Sequence, residues 1–371
     1  METRLVRGAG EPLHEALRSM AAADSINGLG VFAAEGSDVD RAAIDATLRE
    51  LSVPVFGGIF PEVLYRGERQ TDGVVLAGLT VEPTVTVVPE LSGSETEFGD
   101  HLPADVPEAG TAFVFVDAYA TRAEDFVSEL FASYGVTLTY LGGGAGSLDM
   151  EQRPSIITNE GVVEDTAVFV TVDAATSIGV KHGWEEVAGP LRVTDADGPV
   201  LGELNGESAF SVYKQIVEED ADVTLDADNF FEIAKMYPFG ISRLEGEKIV
   251  RDPFEVTDDG SLTCFGDIPD DAFLYVLKGS EESLVRAAGE AYDAIEADID
   301  GQADDQADVL FFDCISRVLY LEDAFTRELD AVGGETRPDL GALTIGEIAN
   351  DGEGHLEYYN KTAVAAITDS L

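Results

Sequence analysis

Apolar runs and amphipathic stretches alternate along this chain in an order that occurs three times. The first round opens with GLGVFAA (28–34), an unbroken apolar run of strand length. SDVDRAAIDATLREL follows with Val39, Ile44 and Leu48 at helical spacing and Ser37 placed to cap the helix. Then come VPVFGGIF, a polar turn and GVVLAGLTV. The second round reads TAFVFVDA, a helix TRAEDFVSELFASYG with Thr121 as cap and Gly135 as stop, VTLTYLGGGAGS, a turn and TAVFVTVDA. The third reads ADVLFFDCIS, a helix running through LYLEDAFTRELDAVGG, GALTIGEIAN, the turn DGEGH and LEYYNKTAVAAI. Each unit is therefore strand, helix, strand, glycine-bearing element, returning strand. Gly57 and Gly58 read as a bend where a strand ends, and the short turns predict antiparallel pairing of the last two strands of each unit.

Other elements fall between these units. DAFLYVLKGSEESLVRAAGEAYDAI is a fourth strand–helix pair, GESAFSVYKQIVEE is a helix, and YPFGI is an extended turn with aromatic anchors. Pro89–Gly110 is a polar loop, EADIDGQADDQAD is an acidic connector, and the turn signals of Asp195–Gly206 place a domain boundary near residues 190–205. The pattern predicts a mixed α/β (α+β) fold. It has two domains, 25–195 and 200–371, built from repeated strand–helix–strand–strand units with mixed sheets.

Composition adds an acidic shell to this core. Apolar residues make up 45% of the 371, so a sizeable interior is within reach, yet Asp and Glu number 73 against 22 Lys and Arg, a formal charge of −51. The acids are interleaved along the whole length, as in VEEDADVTLDADNF, rather than gathered in a tail. Self-repulsion of this size opposes a compact state until salt screens it, at a Debye length of about 3 Å in ~1 M salt. The composition points to a halophile's cytoplasm and away from nucleic acid, for which it offers no basic patch. Two cysteines, Cys264 and Cys314, make no disulfide framework. No apolar run reaches the roughly 20 residues of a membrane span, and the N-terminus has no apolar signal region.

Familiar chemistries mostly fail on spacing. LGGGAGS has Ser147 where a dinucleotide fingerprint starting at Gly142 needs glycine, and Pro154 follows in place of a helix. His14, His101, His182 and His355 are scattered, which argues against a dedicated metal site. Cys314, at the end of LFFDCISR, is the one credible nucleophile, with Arg317 three residues on to lower its pKa; the alternative is a small buried residue. Arg317 must find acceptors at the end of a buried strand, either a ligand carboxylate or a structural partner such as Glu347. Glu347, beside a glycine at a strand end, is placed to receive a cationic group. His182 and the only tryptophan, Trp184, sit together in GVKHGWEEVAG.

The stretches GGIFPEV, YLGGGAGS, GVKHGW, LNGESAFSVY, YPFGI, FDCISR with GALTIGEIA, and LEYYNKT resemble, in that order, those of FIST proteins, over roughly Gly28 to Thr368. With the acidic composition, the resemblance is to a haloarchaeal type. It implies an N-terminal and a C-terminal FIST domain in an intracellular, cytoplasmic sensory protein. Such a protein would bind a small ligand, an amino acid among the candidates, without a cofactor. It would signal through a separate partner such as a histidine kinase or chemoreceptor. On this reading Arg317 holds a ligand carboxylate, Glu347 and Asn360 contact an amine or amide, Gly143 and Gly144 permit close approach, and Cys314 and His182 complete the site. The competing expectations are an enzyme acting through Cys314, by acyl transfer or hydrolysis, and a scaffold that binds only protein.

Overall fold

The opening strand of each repeat is buried on both faces, which is why it reads as a continuous apolar run. In the computed structural model these strands are Gly28–Ala34, Gly110–Asp117 and Asp308–Cys314. The structure describes all residues except 9, 38, 244–246, 299–306, 334–337, 351–353 and 369–370, and the side chains of 296–298. Most of the acidic connector and the first part of the DGEGH turn lie outside the described residues. The fold is mixed α/β, and each unit has a sheet of its own.

Within a unit, helical structure leads to a strand parallel to the opening one: Val55–Phe60, Leu138–Ala145 and Leu340–Thr344. The returning strands, Val74–Leu79, Thr166–Val172 and Ala363–Thr368, lie antiparallel on the opposite flank of the opening strand. This corrects the expected pairing of the last two strands with each other. The intervening turn is itself a hairpin, and it leaves its own sheet. The first unit's hairpin, Glu62–Tyr65 with Glu68–Gln70, extends the third unit's sheet. The second unit's hairpin, Ile156–Thr158 with Gly161–Val163, extends the first unit's sheet. The third unit's hairpin, Glu347–Ala349 with Glu357–Tyr359, extends the second's. Exchange therefore runs around a closed ring of three.

The glycine runs lie inside strands rather than at bends. Gly57 at φ +140° and Gly142 at φ +148° occupy equivalent positions, and a Cβ on either would stand 2.0 Å from a carbonyl oxygen of the opening strand, Val31 or Val114. The ring closes around equivalent phenylalanines: Phe115 packs edge-on to Phe32 at 5.5 Å and lies 5.9 Å from Phe312. Burial of such side chains contributes about 1.5–3 kcal/mol each.

Between the second and third units the chain builds a barrel. Its strands, ordered Glu185–Asp197, Phe273–Lys278, Phe239–Ile241, Ile249–Val256, Leu262–Phe265 and Val200–Leu204, close by pairing of the first with the last. YPFGI supplies one of these strands, and residues 190–205 form the barrel's first hairpin. The helices Ala209–Ala221 and Phe230–Ala234 accompany its core.

Local expectations shift in three helices and hold in one stop. Asp40 caps Arg41–Glu50 by accepting from the Ala43 amide, while the Ser37 hydroxyl donates to the Ala34 and Gly73 carbonyls. Thr121 gives no cap: Ala123–Tyr134 follows Arg122, which makes no side-chain cap bond, and Gly135 ends that helix at φ +55°. The helix expected through LYLEDAF is split at Glu322 (φ +49°) into Ile315–Leu321 and Phe325–Ala331.

Candidate functional site

The barrel is bolted to the ring by buried charge. Arg251 donates to Glu124 at 3.0 Å and to the Tyr358 carbonyl at 3.1 Å, and Lys361 Nζ meets Asp252 Oδ2 at 2.9 Å. Beside these contacts lies a cavity of about 320 Å³. The ring contributes Tyr119, Leu148 and Met150 from its second unit and Cys314, Ser316, Leu319, Ile345, Asn360 and Lys361 from its third. The barrel and its short helix contribute Phe231, Lys235, Asp252 and Phe265. Seven large apolar side chains are exposed among the described residues, and Leu148, Met150, Phe231 and Leu319 all ring this one mouth. Its walls are mainly apolar and its floor is polar, the ordinary composition of a small-molecule site. Two concavities of about 440 Å³ are roomier but polar, one lined by Phe98 and Glu129, the other by Glu35 and Arg153.

The floor is a strand-end constellation. Cys314, the last residue of its strand, is buried; its thiol bonds Glu347 and accepts from the Ser316 hydroxyl at 3.0 Å. Burial, reinforced by Glu347, pushes this thiol up to about 12. Burial likewise pushes Glu347 up to about 8, against the Thr344 hydroxyl and the Thr362 amide that donate to its oxygens. Asn360 lines the cavity and donates to the Phe265 carbonyl at 3.1 Å.

Lys361 and Asp252 were missed by sequence reasoning. Lys361 is 1% exposed, with φ +54°; its ammonium also donates to the Lys235 carbonyl and stands 5.0 Å over the Trp184 ring. Asp252 is 7% exposed; burial raises its pKa while Lys361 pulls it back. Its second oxygen, Oδ1, is buried without a hydrogen-bond partner. The signal was a lysine in a chain with only six, inside the LEYYNKT stretch. Its partner lies more than a hundred positions away, where no spacing rule reaches.

The other expected residues serve the scaffold. Arg317 is completely buried and faces protein on every side. Nε and Nη2 bind Glu328 at 3.0 and 2.6 Å, and Nε stands 3.0 Å from Asp313. Nη1 donates to the His182 and Lys361 carbonyls, and Nη2 to Leu284. The guanidinium thus has no donor left for a ligand carboxylate, and its ion partners are Asp313 and Glu328 in place of Glu347. Asp313 and Glu328 hydrogen-bond each other, and burial beside Glu328 lifts Asp313 far above the carboxylate range. Asp313 Oδ2 and Glu328 Oε2 have no other hydrogen-bond partner.

Gly143 and Gly144 lie where the third unit's hairpin crosses the second unit's sheet. A Cβ on Gly143 would meet the Gly346 carbonyl at 2.4 Å, and one on Gly144 the Ile345 carbonyl at 2.3 Å. The close approach they permit is that of protein backbone. His182 stands outside the cavity: Nδ1 accepts from the Trp184 amide at 2.9 Å, Nε2 lies 3.1 Å from Glu247, and burial lowers its pKa to about 4. The structure therefore brings Cys314, Asn360 and, behind the thiol, Glu347 to one cavity and leaves Arg317, His182, Gly143 and Gly144 around its frame.

No helix among the described residues is long and apolar enough to cross a membrane. An uncharacterized protein of Methanocaldococcus jannaschii is 24% identical over 193 residues, 49% of this chain and 37% of that protein. The chain thus spans little more than a third of this curated relative. The FIST N domain model matches residues 28–207 and the FIST C domain model residues 209–350. These domains are associated with signal transduction and small-ligand sensing. The barrel and most of the ring fall within the matched span, while Asn360 and Lys361 of the cavity lie just past its end; the two matches together cover most of the chain, and the chain belongs to the FIST family.

Proposed function

We propose that this protein binds a small ligand in the cavity between ring and barrel and reports it to a separate signalling partner, without catalysing a reaction on it. One observation carries the reading: a mainly apolar, polar-floored cavity of about 320 Å³ lies where two structural bodies meet. A ligand there touches both, so its binding energy can bias their fit. Amino acids are candidates, and a histidine kinase or chemoreceptor is a candidate output partner. The setting we propose is a cytoplasm with multimolar salt, where a charge of −51 is screened. Desalting should then unfold the chain, seen as loss of its circular dichroism; a fold indifferent to salt contradicts the setting.

The test is a thermal-shift screen in multimolar KCl against amino acids, organic acids, nucleotides and small neutral aromatics. A native-state ligand at a hundredfold excess over its dissociation constant stabilises by about 2.7 kcal/mol. Leu319→Trp, which fills the mouth from an exposed position, should abolish the shift. A flat screen sinks the reading and favours a protein that docks on the apolar rim.

A thiol enzyme has less support. A thiol held near 12 is almost wholly protonated at neutral pH, and His182 is bound to Trp184 and Glu247 outside the cavity. Iodoacetamide should label native Cys314 about a thousandfold more slowly than a free thiol at pH 7.5. Fast, pH-dependent labelling reinstates the enzyme.

A further inference from the structure

The floor of the junction cavity has an imbalance of donors and acceptors that specifies its ligand more narrowly than size does. Each side-chain donor group there already has a partner, and one Asn360 N–H is left over. Lys361 Nζ serves Asp252 Oδ2 and the Lys235 carbonyl, with the Trp184 ring beneath it. Asn360 Nδ2 serves Phe265, the Tyr119 hydroxyl serves the Ser147 carbonyl, the Ser316 hydroxyl serves Cys314, and the thiol serves Glu347. At the mouth, Lys235 Nζ is held by Glu232 at 2.7 Å. The group left without a partner is an acceptor, Asp252 Oδ1, buried on a residue that lines the cavity. An unpaired buried acceptor is costly, and a ligand that supplies its donor recovers that cost.

Charge narrows the class further. Asp252 and Lys361 already balance one another. A ligand carboxylate would face Asp252, with Glu347 behind the thiol, and could draw only on the second Asn360 N–H and, at the mouth, on a Lys235 ammonium already paired with Glu232. A ligand ammonium on Oδ1 would share one carboxylate with the Lys361 ammonium and be repelled by it. Leu148, Met150, Phe231 and Leu319 around the mouth ask for an apolar body, and about 320 Å³ admits one or two rings.

We infer that the cavity takes a small neutral molecule with an apolar, ring-sized body and an N–H or O–H donor, the donor meeting Asp252 Oδ1, and that it selects against carboxylates and ammonium ions. This inference rests on the reading of the cavity as a ligand site. It shifts the ligand class away from free amino acids, which carry both excluded charges.

Four probes of one shape test it by calorimetric titration of the full chain in multimolar KCl: indole, 1-methylindole, indole-3-acetate and tryptamine. Indole should bind, 1-methylindole, which lacks the donor, should bind at least about tenfold more weakly, and both charged analogues should fall below indole. Leu319→Trp should remove the indole signal. Equal binding of indole and 1-methylindole overturns the donor assignment. Tightest binding of tryptamine or indole-3-acetate overturns the charge selection, and indole binding unchanged in Leu319→Trp overturns the location. If all four probes fail while the broad screen yields a mouth-dependent ligand, this class is wrong and the sensor reading stands. If both fail, the sensor reading falls with it.

Discussion

Two buried cations, Arg317 and Lys361, are neighbours in this fold and differ in what surrounds them. Arg317 is sealed: two carboxylates and three backbone carbonyls take its donors, and the whole cluster is completely buried. Lys361 belongs to an incomplete set, since its partner Asp252 keeps one oxygen unmatched on a residue at the cavity. The Lys361 carbonyl accepts from Arg317, so the sealed cluster holds the backbone from which the open one projects. Burial and charge alone do not mark a ligand site; a shortfall in hydrogen bonding at a cavity does. By that criterion Arg317, the more conspicuous residue in the sequence, is framework, and the Lys361–Asp252 pair is the place where something is missing.

The sharpest way to break this comparison is to open the sealed site. Arg317→Met leaves Asp313 and Glu328 buried without their cation and should cost about 3–5 kcal/mol, measured by denaturant unfolding in multimolar KCl. A cost below about 1 kcal/mol would show that the cluster is not sealed. Acid attacks the same side of the molecule more gently. The folded pKa of His182, about 4, lies below its unfolded value near 6.5, so the unfolded chain takes up that proton first. Its contribution is present above pH 6.5 and is lost as pH falls to 4, on the order of 3 kcal/mol in all. His182→Asn should lack this share of the acid slope, read by comparing unfolding free energies of variant and wild type at pH 7 and pH 4.5. Identical slopes would place the titration elsewhere.

At the open site, Lys361→Met should cost only about 2 kcal/mol, because Asp252 lies at a cavity and can take up a proton or water. A loss equal to that of Arg317→Met would erase the distinction between the two cations. The smallest effect is expected at the rim. Leu319→Trp changes an exposed side chain and should leave stability within about 0.5 kcal/mol while blocking ligand. A larger loss would mean that the rim is part of the core.

Much of the ring was legible because its units repeat a local pattern. Doubly buried opening strands announce themselves as apolar runs, and crossover helices show their period. The destination of each hairpin was not legible. Glu62–Tyr65 and Glu347–Ala349 have ordinary strand composition, and nothing local says which sheet they join. That ambiguity produced the wrong strand pairing, and it turned Gly57, Gly143 and Gly144 into bends or ligand contacts when they are clearances for neighbouring backbone. The barrel was unseen for a similar reason: Phe273–Lys278 read as a strand leading to a helix, YPFGI as an extended turn and residues 195–206 as a domain boundary, and closure depends on pairing between Glu185–Asp197 and Val200–Leu204 that looks like an isolated hairpin. At the site, Cys314, Glu347 and Asn360 were visible because strand ends and short motifs are local. Arg317 was correctly read as needing acceptors, but Asp313 and Glu328 could be picked from 73 acidic residues only by geometry.

The exchanged hairpins also set a schedule for making the protein. The second unit's sheet is finished by Glu347–Ala349, about two hundred residues downstream of its own strand Leu138–Ala145. The third unit's sheet needs Glu62–Tyr65, made long before the strands it joins. On the ribosome, the early units must therefore wait with bare strand edges while the whole barrel is translated. Such edges invite association with other chains, and contacts this distant in sequence form slowly. A dense coat of like charge, spread over the segments that emerge during that wait, keeps nascent chains apart from one another. The acidity that suits a salty solvent then also protects an assembly whose last pieces arrive late.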